Sequence, residues 1–522
     1  MTAFLPDIDT LTLEQLVAQM VVVRTCGYLF DNQIAYPEWE ANTATMQYLV
    51  ELGIGGVIFL GGSAAELALR SQQMQSWAKI PLLIAADIEE GVGQRFPGGT
   101  WFPPPMAISQ IARNHPQAEQ YAEQMGAITA AEAIAIGINW ILAPVVDVNN
   151  NPDNPVINIR AFGETPSVVS PLANAFIKGA KAYPVLTAAK HFPGHGDTTT
   201  DSHVDLPIIA HSSSRLAEIE LVPFTSAIAS GVDAVMSAHL LIEGWDSQYP
   251  ATLSKRILTE QLRDRLGFTG LIVTDALMME AISKRYGANE SPVLAVEAGA
   301  DILLMPSDPE GAINAVCEAV KSGRISAQRI GESVERIWHA KSRVEGVKID
   351  PSKIALELSK PESLKTVEYI LQQSQIVSGI PLSQTSNGRN LIVVDNLLGS
   401  GKFLTEQSPA IVLPKSLGYT TWLCDRHTPF DPNLETDNLP TLLQLFIRGN
   451  PFRGSSELTQ IGMDWFKKLS SSNNLQALVI YGSPYILEKL TPAMDSEIPC
   501  VFSYGQMPQA QTIALQVLFS NK

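Results

Sequence analysis

Cysteine is scarce in this chain of 522 residues: Cys26, Cys317, Cys424 and Cys500 are the only four. They are scattered, with neither the paired spacing of a metal knuckle nor a disulfide framework, so the sequence predicts reduced and mostly buried thiols. Positive charge is also short. Thirty-six Lys and Arg face 53 Asp and Glu, a formal net charge of -17, which argues against nucleic acid or an anionic membrane as partner. No run has the uninterrupted apolar length that crosses a bilayer. No basic residue precedes an apolar run near the start, the first arginine being Arg24, and this predicts a cytoplasmic protein. The glycines of Gly55-Gly56 and Gly91-Val92-Gly93 do not form the GxGxxG pattern that opens a dinucleotide-binding helix. A small-molecule substrate and no cofactor are the simpler expectation.

What the chain does have is a regular alternation. Apolar, β-rich runs at 20–23, 56–60, 81–86, 140–146, 185–189, 234–238, 271–274 and 301–305 are separated by helical patterns at 43–53, 64–77, 115–136, 166–181, 213–230, 254–266, 288–299 and 308–322. Strand-helix alternation with short turns implies parallel strands and right-handed crossovers. Eight such units predict a closed (β/α)8 barrel of the TIM type, an α/β fold. Polar residues stand where its runs end: Asp87, Asp147, Lys190 with His191, His239 and Asp275. That is the face on which such barrels carry their chemistry. The pattern changes near Glu345. The sequence predicts a barrel domain over 1–345, a charged, proline-containing linker over 346–361 and a smaller α/β sandwich domain over 362–522. In the last, strands are expected at 391–394, 410–413, 477–481 and 501–504, and helices near 363–377, 456–469 and 508–519.

Histidine numbers only eight, yet three fall within Lys-His-Phe-Pro-Gly-His-Gly-Asp-Thr-Thr-Thr-Asp-Ser-His, residues 190 to 203. Pro193, Gly194 and Gly196 forbid a helix, so this segment reads as a loop leaving the fifth strand. His191 and His195 have the i, i+4 spacing of a zinc helix, but that same Pro-Gly pair lies between them and no Glu follows His191, so no metal is expected. Asp201 and His203 are two apart, which in extended chain puts both side chains on one side. A carboxylate beside an imidazole fixes its tautomer and supports its protonated form. The pair is either a proton-transfer unit or a hydrogen-bonded loop staple.

Asp275 ends the buried run Leu271-Ile272-Val273-Thr274. It reads either as the N-cap of a helix over 276–282 or as a carboxylate nucleophile facing the proton donor. Asp87, Arg95 and Arg160 supply fixed acceptors and donors of the kind that sugar hydroxyls need, although an isolated charge is more often a loop ion pair.

The run Lys190 to Gly196 followed by Asp201-Ser202-His203 resembles the signature of the β-N-acetylglucosaminidases of glycoside hydrolase family 3. Asp87 to Phe96, Ala143 to Val148, Asn154 to Gly163 and Val273-Thr274-Asp275 resemble further motifs, in the family's order, over roughly residues 10 to 345. The resemblance implies that Asp275 is the nucleophile and His203 the acid/base, oriented by Asp201. It implies that Asp87, Arg95, Arg160, Lys190 and His191 hold the terminal sugar of an oligosaccharide. The same machinery serves β-glucosidases and phosphorylases, and a sugar-binding protein that kept the barrel is the non-enzymatic alternative. Relatives that take their acid from the second domain would point to Glu406, Glu435 or Glu457, none of which sits in a motif here. Oligomeric state is not readable from the chain.

Overall fold

The computed structural model describes residues 5–113, 115–199, 206–346, 349–382, 387–428, 439–448 and 456–519. They form two compact units, one of Met1–Phe102, Pro116–Asn151 and Arg160–Leu364, the other of Pro103–His115, Pro152–Ile159 and Lys365–Lys522.

In the first unit eight parallel strands close a barrel: β1 Val21–Cys26, β2 Gly56–Leu60, β3 Leu83–Ala86, β4 Trp140–Ile141, β5 Leu186–Phe192, β6 Ala234–Ser237, β7 Leu271–Val273 and β8 Leu303–Leu304. Their hydrogen-bonded order is β8-β1-β2-β3-β4-β5-β6-β7, and a parallel bridge from Val273 to Ile302 brings the last strand back to the first. The strands read as unbroken apolar runs because both faces are covered, by side chains inside and helices outside. Val21, Val22, Val57, Ile84 and Ile272 are accordingly fully buried. Gly56 belongs to this packing: a Cβ there would sit 2.3 Å from the Leu83 carbonyl oxygen of the neighbouring strand.

Helix boundaries follow from local chemistry. Thr12 and Gln15 form a capping box before the helix Leu13–Gln19, and Ser63 and Glu66 form another before Ala64–Trp77, each satisfying backbone donors that the first turn leaves open. The segment 346–361 contains the short helix Ile354–Glu357 and is fastened to the barrel, Ser359 donating its backbone N–H to Glu132 and its hydroxyl to the Gly98 carbonyl.

The second unit is a six-stranded sheet of β9 Ile376–Ser378, β10 Gly388–Val393, β11 Tyr419–Cys424, β12 Thr441–Ile447, β13 Leu475–Gly482 and β14 Cys500–Ser503. Its order is β9-β14-β13-β12-β10-β11, parallel throughout except where β9 meets β14. Residues 410–413, expected as a strand, lie instead in the helix Pro409–Ser416, whose first position is the proline. All four cysteines are buried and unpaired.

Candidate active site

The fifth barrel strand does not stop at Ala189. It runs on through Lys190, His191 and Phe192, all buried, so Lys190 and His191 are strand residues at the barrel mouth. Two glycines shape the loop beyond the strand. Gly194 has φ +134°, and a Cβ on it would meet the Glu220 side chain at 2.7 Å; a Cβ on Gly196 would lie 1.7 Å from the Val148 carbonyl oxygen. Only glycine lets the loop after β5 press this closely on the loop after β4.

That press delivers backbone donors to Asp147, which follows β4 and is fully buried. Its carboxylate accepts the His191 N–H at 3.2 Å and the His195 N–H at 2.7 Å. It also pairs with His191 Nδ1 at 2.8 Å. Burial alone would raise the Asp147 carboxyl, but the His191 and His195 contacts outweigh it and hold the group below the usual carboxylate range. Asp147 thus fixes the His191 ring with Nδ1 toward the carboxylate.

A second network lies beside it. Lys190, 1% exposed, places Nζ 2.7 Å from Asp87 and 2.6 Å from Glu89. Glu89, 3% exposed, takes a fork from Arg160, Nε to Oε2 at 2.8 Å and a terminal nitrogen to Oε1 at 2.7 Å. Burial would raise the Glu89 carboxyl, yet Arg160 and Lys190 hold it well below its ordinary value. Burial likewise opposes charge on Lys190, and Asp87 and Glu89 overcome it, raising the amine. Arg95 reaches the same place by another route, its Nε donating to the Asp87 carbonyl oxygen at 3.1 Å. Asp87 is the open member of the group, its side chain 27% exposed. An amine has three donors, and two of those on Lys190 are taken by carboxylates.

Asp275 follows β7 at the same mouth. Its Oδ1 accepts the Ala276 N–H at 2.8 Å, but no helix starts there. The helix begins at Glu280 with Met279 as its N-cap, so the capping alternative for Asp275 does not hold. Asp275 is close enough for its charge to act on His195. Burial first, and the neighbouring His191 second, push His195 down to about 4, so it is neutral near pH 7. The Thr198 hydroxyl donates to the His195 carbonyl and therefore accepts from His195 Nδ1, 2.7 Å away, which assigns the ring proton to Nδ1. His239, after β6, is held by the Thr252 hydroxyl at 2.8 Å and the Ala276 carbonyl at 3.0 Å.

Asp201 and His203 lie outside the described residues. The chain on either side of them is tied together: Asp197 meets His211 Nε2 at 2.8 Å, and Ile208–Ile209 pairs in parallel with Leu241–Ile242. Asp197, His211 and Glu220 present ligand atoms within 4.8 Å of one another. The guanidinium of Arg215 bonds Glu220 at 2.8 and 2.9 Å and Asp197 at 3.4 Å, so a resident cation already serves these carboxylates.

Residues 12–340 match the model of the glycosyl hydrolase family 3 N-terminal domain, and residues 381–520 match the bacterial glycosyl hydrolase family 3 C-terminal domain. The chain belongs to glycosyl hydrolase family 3. It is 30% identical over 521 residues to beta-hexosaminidase A of Pseudoalteromonas piscicida, covering 90% of this chain and 86% of that one. It is 38% identical over 264 residues to a beta-hexosaminidase of Tolumonas auensis, covering 50% and 78%. Among solved structures it is similar to a family 3 beta-N-acetylglucosaminidase from Paenibacillus sp. str. FPU-7, with TM-score 0.81, 29% identity and 98% and 97% of the two chains covered. A beta-glucoside phosphorylase shares the fold, with TM-score 0.82 at 21% identity over 98% and 93%.

For this family 3 glycoside hydrolase the structure gathers Asp87, Arg95, Arg160, Lys190 and His191 at one end of the barrel with Asp275. Sequence reasoning passes over Glu89, the anion to which Arg160 and Lys190 are both bound, and notices Asp147 as a strand end and a member of the Ala143 to Val148 motif without assigning it a role. A signal for Glu89 is present: three acids in Asp87-Ile88-Glu89-Glu90 beside a strand end require cations, and Arg160 and Lys190 require an anion.

Proposed function

We propose that this hydrolase removes terminal β-linked N-acetylglucosamine from an oligosaccharide by double displacement, with Asp275 as nucleophile. In the first step an Asp275 oxygen bonds the anomeric carbon as the bond to the leaving oxygen breaks, and His203 gives that oxygen its proton. In the second, His203 takes a proton from water, the water oxygen bonds the same carbon, and the bond to Asp275 breaks. Two inversions leave the β configuration. The roles of His203 and of Asp201 as its orienting carboxylate rest on the motif they share with the family.

The observation that carries the reading is the buried Lys190–Asp87–Glu89–Arg160 network at the mouth that Asp275 also occupies. Its charges are fixed before substrate arrives, with Asp87 open to accept from sugar hydroxyls and Lys190 poised to donate. Arg95 and His191 complete the proposed sugar contacts. Preorganised donors and acceptors of this kind orient a polar ligand without reorganisation in the transition state. The names of the relatives support N-acetylglucosamine over glucose as the terminal sugar. We also propose the 1–345, 346–361 and 362–522 division into catalytic domain, linker and second domain. A cytoplasmic role on wall-derived fragments or chitin oligosaccharides follows the family resemblance. Among the described residues no helix is long and apolar enough to cross a membrane.

The test is turnover of a chromogenic β-N-acetylglucosaminide and the matching β-glucoside, with and without phosphate, with the first-formed anomer read by proton NMR. Release of β-N-acetylglucosamine irrespective of phosphate supports the hydrolase. An α product removes Asp275 as a covalent nucleophile, a sugar phosphate makes the enzyme a phosphorylase, and turnover of neither substrate returns the chain to the binding-protein alternative.

A further inference from the structure

The loop between β1 and the helix Thr43–Leu52 opens onto the same mouth as Asp87, Lys190 and Asp275, because it leaves the carboxyl end of a barrel strand. Within it Phe30, Tyr36 and Trp39 are 67%, 49% and 44% exposed. Large aromatic rings seldom gather on a surface without something to meet. These rings are also held in place. Tyr36 and Trp39 lie nearly parallel, 22° apart, with centroids at 5.6 Å. The Arg24 guanidinium stands 5.7 Å from one centroid and 5.4 Å from the other, and is itself fixed by the buried carboxylate of Glu40 at 3.0 Å. A strand residue thus contacts both rings.

From this arrangement we infer that Tyr36 and Trp39 form a stacking platform for a sugar in the leaving portion of an oligosaccharide, beyond the residue held in the pocket. The platform presupposes the exo-glycosidase function proposed for the pocket and extends it to the rest of the substrate. In an enzyme that takes the chain end into a barrel mouth, the remainder of the chain must leave across the rim, and this loop is part of the rim. An all-equatorial β-linked pyranose presents flat C–H faces, slightly positive, which suit the negative face of an aromatic ring. A neutral sugar also suits a strongly acidic protein better than an anionic surface would.

The experiment compares full-length enzyme with the Tyr36→Ser/Trp39→Ser double variant on an aryl N-acetylglucosaminide and on chito-oligosaccharides of two to five sugars. The expected result is an unchanged kcat/KM on the aryl substrate and a loss of about tenfold on the longer oligosaccharides, carried by KM. Trp39→Phe, which keeps a flat ring, restores most of the loss. Equal change on aryl and oligomeric substrates overturns the platform. So does a shift of oligomeric state in size-exclusion chromatography, since the rings would then be covered by a second copy. If wild-type enzyme turns over none of these substrates, the failure lies in the reading of the pocket. Calorimetric titration with chitotetraose and cellotetraose then decides the platform: binding lost in the double variant supports it, and equal binding overturns it.

Discussion

Glu89→Gln is the perturbation that most directly tests whether the buried charges at the mouth form one electrostatic unit. The substitution keeps the shape and removes the anion that Arg160 grips with two bonds and Lys190 with one, at 2.6 to 2.8 Å. Lys190 then keeps only Asp87, while Arg160 loses its carboxylate partner next to another buried cation. Removing one partner of a buried pair costs about 3–5 kcal/mol, because the remaining charge stays desolvated. In a domain of this size that corresponds to a fall of about 4–7 °C in the barrel's melting transition. The pH dependence has a definite sign. Glu89 is held well below the usual carboxylate range, so its contribution is fully present above the unfolded glutamate value near 4.3 and is lost as pH falls through the lower folded value. The gap between wild type and variant in scanning calorimetry should therefore stay constant from pH 8 to 5 and narrow only under strong acid. A double-mutant cycle with Arg160→Met should return a coupling of about 3 kcal/mol. A gap under about 1 kcal/mol at pH 7, or one that already closes between pH 7 and 5, would refute the account of Glu89 as the shared counter-ion.

Three further outcomes are expected. Asp275→Ala should lower kcat on any substrate by about 10³-fold or more, whereas His203→Ala should hurt glycosides with poor leaving groups far more than activated aryl glycosides; equal loss on both would remove His203 as the acid. His195, pushed down to about 4 by burial and the neighbouring His191, should show ring proton shifts that stay flat from pH 8 to 5. Since its folded value is depressed below the unfolded 6.5, stability should decline as pH falls from about 6.5 toward 4, an effect absent in a folded His195→Gln variant. Lys341 is fully buried with Gln19 Oε1 as its hydrogen-bond partner, 2.6 Å away, and burial pushes its amine down to about 7. The unfolded lysine holds its proton up to about 10.4, so native stability should rise between pH 7 and 10 by as much as about 4 kcal/mol. Lys341→Met, measured by thermal unfolding, should therefore stabilise at pH 6 and lose that advantage by pH 10.

The barrel is legible in the chain because parallel strands buried on both faces appear as continuous apolar runs, separated by helices with their own caps. Where a strand carries a polar residue inward, that legibility fails. Thr441–Ile447 escapes detection since Gln444 interrupts Thr-Leu-Leu-Gln-Leu-Phe-Ile. Its amide is buried and fully served, donating to Asn390 Oδ1 at 2.7 Å and the Ala410 carbonyl at 2.8 Å and accepting from the Tyr481 hydroxyl at 3.1 Å. The opposite error occurs at 410–413, where a short apolar run fits strand and helix equally. There Pro409 at the first helical position is the signal to weigh. Lys190 and His191 look like loop because charge at a strand end usually marks one, and only the carboxylates from β3 and β4 make their burial tolerable.

The site divides in the same way. The residues proposed to meet substrate stand at strand ends and are visible one at a time, as Asp87, Lys190 and Asp275 are. The residues that hold them are distant in sequence: Glu89 binds Arg160 across 71 positions, and Asp147 binds His191 across 44. Charge balance supplies the missing step. Lys190, buried, and Arg160, mostly buried, need carboxylates at hydrogen-bonding distance, and Asp87 alone cannot serve both while remaining open to a sugar. A second acid near β3 is therefore required by the cations themselves, and of the two buried glutamates there Glu89 is the one that meets them, while Glu90 accepts from the Trp101 indole. A site of this kind is specified as a neutralised set, so a substitution at Glu89 should disturb sugar binding as surely as one at Asp87, although Glu89 is closed to solvent and Asp87 is open.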